Sequence, residues 1–121
     1  MKYFTKEHEW VELAGDVATL GISIHAAEEL GDITFVELPE EGASFSKGET
    51  ISVVESVKAA SDIYSPVNGT VSAVNEELED SPEIVNESAE EKGWICKISG
   101  VDAADLEGYM SAEQYKAFLA G

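Results

Sequence analysis

Arginine is absent from this chain of 121 residues, and its seven lysines face 25 Asp and Glu side chains. A formal charge of −18 at pH 7 follows, which repels nucleic acid and anionic membrane surfaces. Cysteine is nearly absent as well. Cys96 has no partner for an intramolecular disulfide, and no pair of Cys or His residues has metal-ligand spacing. Dithiol chemistry would therefore have to come from a cofactor. No apolar run is long enough for a transmembrane helix. Residues Met1 to Glu7 carry neither a signal-peptide core nor an Arg-rich transit character, so a cytoplasmic location is expected.

What is present suits a packed globular protein of one domain: 44% hydrophobic residues, with two Trp, four Tyr and four Phe among them. The acidic excess keeps such a protein soluble and monomeric. It also steers the protein toward basic clefts on partner enzymes.

Short apolar or alternating runs separated by turn residues fill the first hundred positions, the pattern of an all-β sandwich or barrel. It predicts strands at Trp10–Leu13, Val17–Ile22, Ile33–Leu38, Thr50–Val57, Ala60–Ser65, Thr70–Val74 and Trp94–Ile98. Gly15-Asp16, Pro39 to Gly42, Lys47-Gly48 and Pro66 to Gly69 supply the reversals. Helices are expected at Ala26–Leu30 before Gly31, after Ser81-Pro82, and at Ala103–Glu107 behind an Asp102 cap. Ser111 to Gln114 reads as a capping box opening a last helix through Leu119, with Tyr115, Phe118 and Leu119 packing it on the β core.

One stretch asks for a function. Ile51 to Val67 reads as two strand-like arms about Lys58, which the small neighbours Ala59 and Ala60 leave open at a hairpin tip. The plain reading is a solvated turn lysine. The sharper one is covalent modification, which suits an exposed tip, and the short pattern alone leaves both open. A tethered arm would raise the effective concentration of an intermediate at successive enzymes. A lipoyl arm would bring the disulfide that the chain lacks. Biotinyl lysines usually sit between methionines, whereas Lys58 lies between Val57 and Ala59, which favours lipoyl.

Further motifs stand in a fixed order: His8-Glu9-Trp10; Leu30-Gly31-Asp32-Ile33 running into Phe35-Val36-Glu37-Leu38-Pro39; Val54-Glu55-Ser56-Val57-Lys58-Ala59; Asp80-Ser81-Pro82-Glu83 with Val85-Asn86; and Gly93-Trp94. In these the chain resembles, from Tyr3 to Leu119, the H proteins of the glycine cleavage system. The resemblance implies a mainly β fold, a flattened barrel or sandwich of the lipoyl-carrier type with short helices. It implies one domain over residues 1–121, with 101–121 a helical C-terminal extension packed on it. Lys58 is then the lipoylated residue and lipoate the cofactor, in amide linkage. The implied partners are a pyridoxal-phosphate glycine decarboxylase that loads an aminomethyl group, a tetrahydrofolate-dependent aminomethyltransferase that takes it, a flavin dihydrolipoyl dehydrogenase, and lipoate-attaching enzymes. The loaded arm is expected to fold into an acidic cleft at Glu9 and Asp62, and Glu55 and Asp62 to help the attaching enzyme recognise the hairpin.

The departures from the family pattern concern partners. Ser23-Ile24-His25-Ala26 loses an acid usual near position 24, and Ser88-Ala89-Glu90-Glu91 replaces a segment that usually holds Pro-Tyr. Some H-like proteins donate lipoyl groups to other enzymes, and these departures keep that alternative open.

No enzymatic activity is expected. His8 has no nucleophile paired with it by any motif and reads as a structural residue at a strand edge. His25 reads as a contact beside the short helix. Cys96 reads as a small buried residue, and Trp10 and Trp94 as core anchors. The acid run from Glu76 to Asp80, with Glu87, Glu90 and Glu91, reads as solvated surface. A small hydrolase would need a nucleophile, base and oxyanion donors, which no motif supplies. An acidic adaptor would need no modified lysine, and intact mass separates it from a carrier.

Overall fold

The computed structural model describes residues 2–120. Along the chain run β1 (Lys2–Phe4), β2 (Glu9–Ala14), β3 (Val17–Ile22), α1 (Ile24–Leu30), β4 (Ile33–Glu37), β5 (Ser44–Phe45), β6 (Thr50–Ser56), β7 (Ala60–Tyr64), β8 (Gly69–Val74), α2 (Glu77–Asp80), α3 (Ile84–Ser88), β9 (Cys96–Ser99), a 3₁₀ turn (Ala103–Leu106), β10 (Met110–Ser111) and α4 (Ala112–Ala120). The fold is mainly β. Its strands form two antiparallel sheets, one in the order β10-β1-β2-β3-β9-β8-β5 and the other β4-β6-β7.

The period-two alternation decides which way each strand faces. Val11 lies opposite Leu20, and Leu20 opposite Cys96, so all three point into one core. The smaller sheet contributes Val36, Val54 and Ile63 to that core, so its apolar side chains are buried between the two sheets. Glu9, opposite Ile22, falls on the same inward-facing row as Val11. Cys96 is fully buried, as expected, and burial pushes its thiol up to about 12.

Trp10 takes the opposite face of β2. It lies over Gly21, where an added Cβ would come within 2.8 Å of the indole nitrogen, and its N–H donates to the Ala89 carbonyl at 3.0 Å. Phe4 and Tyr115 stack beside it with ring centroids 4.5 Å apart, and Trp94 packs against this second cluster while only half-buried.

Three strands escape the sequence pattern: β1, β5 and β10 hold only two or three residues each, too short to alternate. β10 also interrupts the C-terminal segment expected to be helical, pairing Met110 with Phe4. The acid run contains α2, whose Leu78 is fully buried, so that stretch is half core element. Ser81-Pro82 opens a turn, and α3 begins only at Ile84. The expected capping box is formed. Gln114 N–H donates to Ser111 Oγ at 3.2 Å, and Ser111 N–H donates to Gln114 Oε1 at 2.9 Å.

The apolar face assigned to α4 needs correction. Tyr115 is buried, but Phe118 and Leu119 are 42% and 39% exposed. Tyr115, stacked on Phe4, anchors this short helix, and Phe118 only borders His8 and Tyr115, with ring centroids 6.2 and 6.3 Å away.

Candidate functional site

Lys58 stands at the tip of the β6–β7 hairpin. Glu55 pairs with Ala60, and Ser56 N–H donates to the Ala59 carbonyl at 2.8 Å, leaving Val57 and Lys58 as the two turn residues. Such short hairpins usually draw on positive-φ residues. Here His8 is the one described non-glycine residue with positive φ, so the reversal is held in another way. The Ser56 hydroxyl accepts from Lys58 N–H at 3.1 Å and from Ala59 N–H at 3.2 Å, a local side-chain turn. Sequence reasoning passed over Ser56, although a Ser two positions before the lysine is the signal for such a turn.

Val57 is 68% exposed, and Lys58, Ala59 and Ala60 are exposed with it. Among the described residues no carboxylate forms an ion pair with Lys58. Its stem rests beside Gly31, where an added Cβ would sit 3.4 Å from Lys58 Cε. The tip thus presents a primary amine that an acylating enzyme can reach without disturbing the sheets.

Of the acids, Glu55 and Asp62 are exposed on the two arms, Asp62 opposite Val53. Glu9 is different. It is only 2% exposed, which excludes the reading of an ordinary surface acid. Its Oε2 accepts from Tyr64 N–H at 2.8 Å and its Oε1 from the Thr5 hydroxyl at 3.1 Å. One carboxylate thus ties the first hairpin to the foot of β7. Burial pushes its pKa from 4.5 up to about 7 against those two hydrogen bonds, which pull it down. Glu9 lines a cleft of about 730 Å³ shared with Glu7, Lys47, Tyr64 and Tyr109. Lys47 Nζ lies over the Tyr109 ring, 4.6 Å from its centroid.

Glu55 therefore stands at the base of the tip that carries Lys58, and Glu9 is set apart. Tyr64, which Glu9 holds, lies six residues from Lys58, roughly 20 Å along a strand, with Asp62 between them on the outward face. Thr5 and Tyr64 were missed in the sequence because only long-range pairing assembles them with Glu9.

The two histidine rings lie 4.9 Å apart. His8 Nδ1 meets Tyr115 Oη at 2.6 Å, and Ser23 Oγ meets the same oxygen at 2.8 Å. His25 pairs with Glu29. The two departures from the family pattern touch one another: Ile24 N–H, at the start of α1, donates to Glu90 Oε2 at 2.8 Å. The carboxylate missing from position 24 is supplied across space by Glu90, favourably placed at a helix N-terminus.

The model of the glycine cleavage H-protein family matches residues 2–121. The chain belongs to that family. A glycine cleavage system H protein of Phenylobacterium zucineum is 55% identical over 117 residues, 97% of each chain. A putative mitochondrial one of Schizosaccharomyces pombe is 54% identical over 97% of this chain and 69% of its own length. The crystal structure of an H protein from Mycobacterium marinum superposes with a TM-score of 0.89 at 30% identity, covering 99% of this chain and 97% of that one. The flattened two-sheet architecture is accordingly the H-protein fold of the lipoyl-carrier type.

Proposed function

We propose that this H-family chain is a carrier whose Lys58 bears lipoate in amide linkage. It moves an aminomethyl unit from a pyridoxal-phosphate glycine decarboxylase to a tetrahydrofolate-dependent aminomethyltransferase, and a dihydrolipoyl dehydrogenase restores the arm. The observation that carries this reading is the placement of Lys58: an exposed amine, without an ion partner among the described residues, on a two-residue turn organised by Ser56. A lipoyl group supplies, when bound, a disulfide that accepts the unit and a dithiol that is reoxidised. The protein acts as a cytoplasmic monomer and does no catalysis of its own. Residues 1–121 serve as one lipoyl-carrier domain, with 101–121 its extension.

The remaining residues support the arm. Glu55, exposed three residues before Lys58, and Asp62, four after it, flank the tip and serve its recognition by the attaching enzyme. Asp62 on β7, and beyond it Glu9 of β2 where it holds the Tyr64 end of β7, offer carboxylates to a cation carried on the folded-back arm. Glu9 ionises near pH 7, so an arriving ammonium tips it to the carboxylate form. The contact between Glu90 and Ile24 makes the two departures a matched local exchange, which favours the glycine-cleavage role over lipoyl donation.

Intact mass after expression in a lipoylation-competent host tests the reading. A lipoyl or octanoyl increment that maps to Lys58 is expected, and an unmodified chain would leave an acidic adaptor.

A further inference from the structure

Asn86 belongs to a motif that the carrier reading does not use. It sits in α3 next to Val85, which is fully buried and fixes that helix in the core. Its side chain reaches across to the loop between α1 and β4. Asn86 Oδ1 accepts from Ile33 N–H at 2.8 Å, and Asn86 Nδ2 donates to the Gly31 carbonyl at 2.7 Å. The two bonds close a ring around the Gly31 to Ile33 backbone, using both ends of the amide.

That loop in turn holds the hairpin tip. The Asp32 carbonyl, between the two clamped residues, accepts from Val57 N–H at 3.1 Å. Gly31, with φ at 80°, has no side chain to keep the Lys58 stem away. A hydrogen-bonded path therefore runs from α3 through the loop to the residue before Lys58. The tip has no positive-φ turn residue, so its order comes from the Ser56 turn within and from this tie outside.

We propose that Asn86 is a positioning residue for the lysine arm, holding the Gly31 to Ile33 loop so that the loop fixes the Val57–Lys58 turn for acylation. Asparagine fits because it donates and accepts within one planar group. Aspartate keeps the acceptor for Ile33 N–H but sets a second acceptor against the Gly31 carbonyl. Alanine loses both.

The inference rests on Lys58 as the acylated residue, and the experiment separates the two. Amide hydrogen exchange is followed by NMR in wild type, Asn86→Ala and Asn86→Asp, with lipoate ligase kinetics on the same unmodified proteins. In Asn86→Ala, exchange at Ile33 and Val57 rises on the order of tenfold for the lost bonds, while Leu20 in the core keeps its rate. Ligation falls several-fold, mainly in kcat/KM. Asn86→Asp keeps Ile33 protected while Val57 still exchanges faster and ligation is still slow, a split that general destabilisation does not give. Should Asn86→Ala not fold, the Asp variant carries the test alone. Wild-type exchange at Val57 in a folded variant, or wild-type ligation with Val57 loosened, overturns the positioning role. Ligation to a lysine other than Lys58 in the wild type overturns the carrier reading instead, and the exchange data still judge the tie from Asn86 to Val57.

Discussion

The two ends of β7 treat ionisable groups in opposite ways. At one end Lys58 stands on a bare turn among small residues, with no ion partner among the described residues. At the other, Glu9 is almost wholly enclosed, with both carboxylate oxygens in hydrogen bonds. An amine left open to solvent is made by removing its surroundings, and local sequence suffices for that. A carboxyl taken out of water needs added surroundings, which takes contacts between distant segments.

The largest effect is expected at the open end. Lys58→Arg keeps the charge and, as a surface change, should alter stability by no more than about 0.5 kcal/mol, yet remove all attachment by intact mass. Lipoate mapped to Lys47 or Lys97 would break the comparison at its root.

At the enclosed end the effect is on stability. Glu9 has a folded pKa of about 7, raised above 4.5, so the folded state holds its proton more tightly than the unfolded chain. Its stabilising contribution is complete below about pH 4.5 and is lost as pH rises through about 7, a change of up to about 3 kcal/mol. Urea unfolding of wild type and Glu9→Gln at pH 5 and pH 8 should show the variant gaining relative to wild type at the higher pH. An unchanged difference would mean that Glu9 is charged throughout.

Joining the two ends gives a smaller effect. Glu9→Ala with Asp62→Ala should leave attachment intact but shorten the lifetime of the aminomethyl-loaded form about tenfold, for the loss of charge-assisted contacts. Hydrolysis at the wild-type rate would leave Glu9 a purely structural acid. The smallest effect concerns the whole surface. Association with partner enzymes should slow several-fold as salt rises, since a field from −18 charges is screened within about 10 Å at 0.1 M. Stopped-flow on-rates that stay flat would confine the acidic surface to solubility.

The same contrast explains what the sequence disclosed. Strands such as Val17–Ile22 and Thr50–Ser56 were legible because alternation and flanking turns are local signals, and so was the Lys58 tip. β5 and β10 exist only because β8 and β1 offer them backbone partners, which no window of residues encodes. Glu9 was legible as an acid at a strand start but its enclosure was not, because the Tyr64 N–H that binds it is 55 positions away. Phe118 and Leu119 had the spacing of a packed face, but spacing cannot tell where the underlying sheet ends.

Cys96 would give a lipoyl carrier electrical insulation. A chain that swings a disulfide on a tether risks short-circuiting it through any thiolate of its own, forming a mixed disulfide that no partner asked for. Here the single thiol is fully buried at the start of β9 and held protonated far above neutral pH, so it takes no part in exchange. On the proposed lipoyl arm, electrons would then enter and leave only at its end.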